Sequence, residues 1–597
     1  MASLPIRVEC CTWYFSWPEA TSFAKGFMRN SRIIILCFLL IAASSVLVLA
    51  QDPNIATPPL PKATPALSNP SSTAALSFND IIDKVVEREH FFIAQMRHLH
   101  PLVETYIQNL KPVDGKVVPA SDQYFLGRID MSNGAEDHVF KSQSGFGRRF
   151  VSRLTSIYGM KFLPLGFAQM VVLDENLQRS DYDFAFVRRE FLGEVRCIVI
   201  DVQPKGKNGR IRFVGRIWVD DQDYNIVRFN GTYGPDQRNS NYLHFDSWRL
   251  NMRPGVWLPA YIYSEESDKI SRAGQKFHFK AQTRLWGYDL QALTHNSEFT
   301  EISIDSPQSV QDQSAAAQDS SPVESQRRWQ REAEDNAIER LQKIGLLAPE
   351  GDVDKVLLTV VNNLIVTNNL NIDPPVRARV LLTSPLESFT IGHTIVVSRG
   401  LLDVLPDEAS LAMVLAHELG HVVLGHRLDT KFAFNDRMFF PDEDTFERLD
   451  FARDPADEEA ADKKAVELLT NSPYKDKLAT AGLFLKALQQ EAPDLKSLIR
   501  PHMGNGLASG NSLRMSSLLS SAPNLDSKQP AQIAALPLGG RIKLDPWSNR
   551  VELVKTKPVA LNSADEKMPF EVTPFFPFLT RFSNPGAEKV ALTAPVN

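Results

Sequence analysis

Apolar residues recur at three- and four-residue spacing between Phe78 and Leu110, as Ile81, Ile82 and Val85 and then Phe91, Phe92 and Met96. That spacing predicts one or two helices. From about Arg148 to Leu290 the period shortens to runs of Val, Ile, Phe, Tyr and Trp broken by Gly, Asn, Asp and Pro. Such runs predict an antiparallel sheet, with strands at Arg210–Val219, Ile226–Thr232, Tyr242–Leu250, Trp257–Tyr263 and Lys276–Trp286. The polar connection Asp220-Asp221-Gln222-Asp223 suits a hairpin loop. Further on, helical spacing returns at Arg331–Gly345 and Val353–Asn368, followed by short apolar strands at Val376–Leu382 and His393–Ser398. Three more helices are expected near Asp407–Leu428, Pro455–Asn471 and Lys475–Ala492. The tail beyond Ser521 is Pro-rich, with strand-like runs at Arg541–Leu544 and Arg550–Thr556.

The stretches between these patterned regions divide the chain. Residues 1–50 read as an export signal: Ile33–Ala50 is uncharged and mostly apolar, Lys25, Arg29 and Arg32 precede it, and Val48 and Ala50 suit a cut before Gln51. The alternative is a single retained anchor, since eighteen residues approach the roughly 20 that span a bilayer. Initiation at Met28 would give the signal a shorter positive region. Residues 51–75 form a Pro/Ala-rich spacer, 76–303 a helix-plus-β domain, 304–330 a Ser/Gln/Asp-rich linker, 331–521 a helical domain and 522–597 the tail. A chain of 597 residues exceeds what one core supports, in keeping with several domains. The expected class is therefore multidomain α+β.

Charge and cysteine content narrow the chemistry. A net charge of −6 leaves no basic excess to neutralise a phosphate backbone, which argues against nucleic acid. Cys10, Cys11 and Cys37 precede the expected cut, so Cys197 stands alone and neither a disulfide nor a cysteine-rich metal site is available.

The chemistry-bearing motif is Val414-Leu415-Ala416-His417-Glu418-Leu419-Gly420-His421-Val422-Val423-Leu424. On a helix, His417 and His421 lie one turn apart and face the same way, so both imidazoles can bind one ion. Glu418, beside the first ligand, can reach a water held there, the place of a general base in H-E-x-x-H. Two imidazoles and a carboxylate favour zinc, one ion per subunit. In an apolar run these polar groups cost free energy unless they find a partner, and a metal is one. The third ligand is sought on the next helix, which Asp454 and Pro455 begin. There Glu458 and Asp462 lie one turn apart, one able to bind metal and the other to fix a histidine tautomer. Spacing alone leaves Glu458 and Glu459 both open.

The stretch Val376–Leu488 resembles the catalytic domain of the HtpX and CAAX-prenyl-protease family of zinc metallopeptidases. The resemblance rests on Ile395-Val396-Val397-Ser398-Arg399-Gly400-Leu401-Leu402, on the H-E-x-x-H motif with a further histidine at His426, and on an E-x-x-A-D match at Glu458, Ala461 and Asp462. It implies a zincin-like fold with a small edge strand, His417, His421 and Glu458 as metal ligands, Glu418 as catalytic base and Asp462 behind a ligand histidine. It also implies roles for His502 at the oxyanion and Arg514 against Asp462, although the family's His-Pro order is inverted here as Arg500-Pro501-His502. The family's Asn-Ala-Phe stands as Glu387-Ser388-Phe389. An extended substrate is expected to pair with the His393–Ser398 strand.

In the first domain, Gly215-Arg216-Ile217-Trp218-Val219-Asp220 with Ile226-Val227-Arg228 resembles the half-barrel of periplasmic lipoprotein carriers and lipoprotein-sorting proteins. By that resemblance the sheet holds a lipid or lipoprotein; the plainer reading has Trp218, Trp248, Trp257 and Trp286 filling an ordinary core. The whole is expected to be an exported zinc metalloendopeptidase, periplasmic or extracellular and membrane-associated if the anchor stays. Its expected partners are unfolded or misassembled envelope proteins. The rival is a lipid- or lipoprotein-binding envelope protein with a latent peptidase domain. A third reading is a scaffold whose Met438, Phe439 and Phe440 plug the metal cleft.

Overall fold

Helix α1, Phe78–Met96, opens with a reciprocal cap: Ser77 Oγ accepts from the Asp80 amide at 3.2 Å and Asp80 Oδ2 accepts from the Ser77 amide at 3.0 Å. Ile82, Val85, Phe92, Ile93 and Met96 bury one face, each side chain contributing about 1.5–3 kcal/mol if fully removed from water. The helix ends there. Expected helical character up to Leu110 gives way to strand β1, Leu102–Val113, where the local alternation of Leu102, Glu104, Tyr106 and Gln108 with Val103, Thr105 and Ile107 sets a period of two.

This computed structural model describes residues 76–113, 116–132, 136–142, 168–205, 212–234, 243–266, 278–290, 322–426, 450–509, 512–524, 542–545, 550–553, 572 and 574–582. The expected signal, the spacer, most of the linker and Met438–Phe440 lie outside them.

Strand β1 is followed by β2 (Lys116–Asp130), β3 (Glu136–Ser142), β4 (Tyr182–Leu192), β5 (Val195–Pro204), β6 (Arg212–Asp220), β7 (Ile226–Gly234), β8 (Leu243–Arg253), β9 (Val256–Glu266) and β10 (Phe279–Trp286). They form one ten-stranded sheet in the order β3-β2-β1-β10-β9-β8-β7-β6-β5-β4, antiparallel throughout. The turn after β6 is closed by Asp220, whose carboxylate accepts from the Gln222 and Asp223 amides. One face of the sheet carries Phe213, Phe229 and Phe245 and is covered by α1. The other carries Trp218, Trp248, Trp257 and Trp286, all buried in an apolar cluster that runs on into the following helices.

Helix α2 (Pro322–Ile344) begins inside the stretch expected as linker, and α3 (Asp352–Thr367) follows. Then come β11 (Arg377–Leu381), β12 (Glu387–Ile391), β13 (Thr394–Ser398), α4 (Arg399–Val404), α5 (Glu408–Leu424), α6 (Pro455–Thr470), α7 (Leu478–Glu491), α8 (Lys496–Ile499) and β14 (Asn505–Gly506). The four strands form a second sheet in the order β11-β13-β12-β14. Strand β13 is therefore interior, parallel to β11 and antiparallel to β12. That corrects the expectation of substrate pairing at His393–Ser398: both its edges are already bonded.

Two buried carboxylates of the large sheet hold backbone amides of the helical region. Glu104 accepts from the Ser384 amide at 2.6 Å, and Asp122 accepts from the Ser497 and Leu498 amides at 2.7 Å each. Trp286 Nε1 donates to the Gly345 carbonyl at 2.9 Å. Among the described residues no helix is long and apolar enough to cross a membrane. In the tail, Ile542–Asp545 pairs antiparallel with Arg550–Leu553, close to the runs expected there.

Candidate metal centre

The helix bearing the H-E-x-x-H motif is fixed at both ends. Asp407 Oδ1 accepts from the Ser410 amide at 2.8 Å, and Gly425 terminates α5 in the left-handed region at φ 68°, where a side chain would be strained. From Ala412 to His421 every residue is buried, because α5 is wrapped by α3, α6, α7 and the small sheet. Gly420 lets α6 come close: a Cβ there would meet the Ala461 carbonyl oxygen at 3.0 Å. That approach carries Glu458, three residues before Ala461, up to the two histidines. Asp454 occupies the cap position of α6, but its side chain makes no capping bond, contrary to expectation. Pro455 at the first turn still sets the start.

His417, Glu418 and His421 are at most 1% exposed. His417 Nε2 and His421 Nε2 face each other at 3.1 Å, and Glu458 places Oε2 3.3 Å from the first and Oε1 3.3 Å from the second. The outer ring nitrogens are already engaged, His417 Nδ1 with Asp462 Oδ1 at 2.8 Å and His421 Nδ1 with His426 Nδ1 at 2.9 Å. Asp462 is an acceptor, so the proton of neutral His417 sits on Nδ1 and its Nε2 presents a lone pair inward. A tetrahedral ion held at roughly 2.0–2.1 Å sets its ligand atoms about 3.3–3.4 Å apart. The two Nε2 atoms lie a little closer than that, each has a different Glu458 oxygen at 3.3 Å, and with one atom taken from each residue the three lie within 4.8 Å of one another; the donor set, two imidazoles and one carboxylate, is one zinc takes.

The electrostatics point the same way. Burial presses the His417 imidazolium down, as does Arg514, yet the bonds from Asp462 and Glu458 and the charge of Glu418 outweigh them and hold its pKa above the ordinary value. For His421 burial prevails, and the pKa is lowered. Burial would raise the Glu458 carboxyl, but both histidines and Arg514 push it far below the usual carboxylate range. The field between the Nε2 atoms and Glu458 thus favours a cation.

Glu418 lies against the small sheet. Ser388 Oγ donates to Oε1 at 2.6 Å and Thr390 Oγ1 to Oε2 at 2.7 Å. Burial raises its pKa, while His417, Arg514 and His421 lower it further, and the net direction is down, so it is held as the carboxylate. Arg514 spans the site: Nη2 is 2.8 Å from Glu458 Oε2 and Nη1 donates to Glu418 Oε1 at 3.5 Å. Its partners are these two glutamates and not the expected Asp462, whose second oxygen accepts from the Met515 amide at 2.8 Å. His502 is placed with its ring against Tyr124 of the large sheet, centroids 4.7 Å apart, and its amide on Glu387 Oε2 at 2.9 Å. Glu459, left open by spacing, is exposed and pairs with Lys463 at 2.7 Å, so the helix phase selects Glu458.

The contacts of Ser388 and Thr390 with Glu418, and of Asn505, which donates to Glu458 Oε1, are not foreseen from the sequence, where Ser388 figures only within Glu387-Ser388-Phe389. Ser388 and Thr390 alternate on β12 and so share a face, a period-two signal that becomes readable only once β12 is known to pack on α5. Nothing in the sequence links Asn505 to α6. Strand β12 pairs with β14 only at Glu387 and Ser388, and beyond them Arg453 Nη2 donates to the Thr390 carbonyl at 2.8 Å.

Comparison with known proteins covers part of the chain. No curated protein matches it. Among solved structures, a DUF1329 family protein from Desulfovibrio piger is 11% identical, covering 35% of this chain and 91% of its own at a TM-score of 0.22. A LolA superfamily protein from Nitrosomonas europaea is 13% identical, covering 36% and 93% at a TM-score of 0.18. The Pseudomonas aeruginosa MucA/MucB complex gives 10% identity, 36% and 94% coverage and a TM-score of 0.12. The stretch 353–436, which carries His417, Glu418 and His421, matches peptidase family M48, and this part of the chain is similar to that family.

Proposed function

We propose that the chain is an exported, zinc-dependent metalloendopeptidase that cleaves unfolded or misassembled envelope proteins. The observation that carries the reading is the convergence of His417 Nε2, His421 Nε2 and Glu458 at spacings of 3.1–3.3 Å, with a buried carboxylate, Glu418, next in sequence to the first. His417, His421 and Glu458 would hold the ion; zinc so bound supplies Lewis-acid activation of water and of the scissile carbonyl. Glu418 accepts a proton from the attacking water and returns it to the leaving amine. Ser388 and Thr390 fix both of its oxygens. Asp462 and His426 fix the outward ring nitrogens, so that the inward ones stay available. Arg514 braces Glu458 and faces Glu418. An extended polypeptide adding to the edge of β12 beyond Ser388, where β14 stops, would take the Thr390 carbonyl from Arg453.

The signal-like run Ile33–Ala50 supports export, and the M48 match supports peptide hydrolysis. A lipid- or lipoprotein-carrying role is favoured less, because the tryptophan-bearing face of the large sheet is packed against the helical region and the tail. The test is metal content and casein cleavage of the full chain before and after chelation. The proposal expects about one zinc per chain, cleavage lost on chelation and cleavage regained with stoichiometric zinc. Cleavage that persists in the metal-free chain overturns it.

A further inference from the structure

The segment Val572–Phe582 crosses the tryptophan-bearing face of the large sheet without joining any strand among the described residues. Its amide at Val572 donates to Gln108 Oε1 on β1 at 2.7 Å. Phe575 meets Tyr261 on β9 edge to face at 5.6 Å, and Phe576 lies 6.1 Å from Trp248 on β8 and 5.4 Å from the Arg228 guanidinium on β7. At the far end the Leu579 carbonyl accepts from the Glu194 amide at 2.8 Å, and Arg581 pairs with Asp220 and Asp223.

Its side chains alternate. Phe575, Pro577, Leu579 and Arg581 turn inward, with Leu579 fully buried, while Phe576, Phe578 and Phe582 remain 62%, 57% and 45% exposed. This is how an extended peptide lies in a groove, anchored by alternate side chains and few backbone bonds. Asp220 is wholly buried and, among the described residues, its carboxylate otherwise accepts only from the Gln222 and Asp223 amides, so its charge calls for a cation from whatever occupies the groove. Gly193, at the β4–β5 turn, leaves room for the Leu579 backbone, which any Cβ there would strike.

We propose that this face is a binding site for an extended polypeptide carrying apolar side chains at alternate positions and then a basic one, with Val572–Phe582 as its resident occupant. Substrate of that pattern displaces the strap and is held on the same molecule as the metal centre. Only the identification of the partner as substrate rests on the peptidase reading; the binding site stands without it.

The experiment uses the full chain with Glu418→Gln, so that binding is read without cleavage, and a fluorescent peptide of residues 570–584 as probe. The tethered strap competes at high effective concentration, so the peptide binds the chain weakly until Leu579→Asp expels the strap. The Leu579→Asp chain is expected to bind at least about tenfold more tightly, and a peptide carrying Arg581→Glu about tenfold more weakly than the parent peptide. A folded Leu579→Asp chain that ignores the peptide, or equal binding of both peptides, overturns the proposal. Should Leu579→Asp fail to fold, hydrogen exchange on the unaltered chain decides. The Val572, Glu194 and Phe582 amides, each in a bond between strap and sheet, should exchange well before those of β5–β9, and exchange in step with the sheet overturns the proposal.

Discussion

Two clusters of buried charge in this molecule close in different ways. Arg249 and Glu89, each 1% exposed, meet in a two-pronged pair at 2.7 and 2.7 Å between α1 and β8, with the guanidinium stacked 3.7 Å from the Phe92 ring centroid. Opposite charges there satisfy each other. At the α5–α6 contact two imidazole nitrogens and a carboxylate face one another, the carboxylate braced by Arg514 and Asn505 and both inner nitrogens turned to the same spot. In the first arrangement the charges are matched by protein atoms alone, although Arg249 Nε finds no hydrogen-bond partner among the described residues, and it reads as structure. The second has the donor set of a metal site, with its outer nitrogens already engaged to hold the inner ones in place.

If that contrast is right, removing half of the closed pair is costly. Glu89→Ala should destabilise the chain by about 3–5 kcal/mol, because Arg249 is left buried and uncompensated, whereas replacing both partners by apolar residues should cost far less. Denaturant unfolding measures it, and a loss under about 1 kcal/mol for Glu89→Ala would show that Arg249 does not depend on Glu89 for its burial.

The two clusters also differ in how far the sequence exposes them. His417, Glu418 and His421 are legible because helix geometry alone puts positions four apart on one face. The pairing of Arg249 with Glu89 joins positions 160 residues apart, and nothing local signals it. Glu458 lies between these cases: two adjacent glutamates are equivalent by composition, and only the phase of α6 against α5 separates them. The large sheet is legible from Arg210 onward, where the five expected strands fall on β6 to β10. Strand β1 was merged into the preceding helical pattern, because its apolar residues follow Met96 without a long break. The C-terminal strap was not legible as an element, since Pro574 and Pro577 remove the donors that a strand would use, and only the sheet beneath it gives its alternation meaning.

A smaller effect sharpens the metal side of the comparison. Asp462→Asn should weaken zinc binding by about 10–100-fold, since Asp462 holds the His417 tautomer, while Glu459→Gln, on an exposed residue of the same helix, should leave it unchanged. Competition with a chromophoric chelator measures both, and equal affinities for the two variants would contradict the assignment.

The smallest expected effect concerns Asp354, near the start of α3. Burial raises its carboxyl to about 6, against the opposing influence of the Gly351 amide and Arg379. A folded pKa above the unfolded one of about 3.9 means that the contribution to stability is full below pH 4 and is lost as pH rises through 6. The unaltered chain should therefore lose a few degrees of melting temperature or less between pH 4 and 7 relative to Asp354→Asn. Parallel melting curves across that range would show that Asp354 does not titrate this way.

The central claim is that the α5–α6 cluster binds zinc and that Glu418 moves the proton. Zinc content and casein cleavage of a Glu418→Gln chain, beside the unaltered one, test it most directly. About one zinc per chain in both, with cleavage reduced at least about 10²–10⁴-fold only in the variant, is the predicted result. Undiminished cleavage by the variant, or no zinc in either chain, would contradict it.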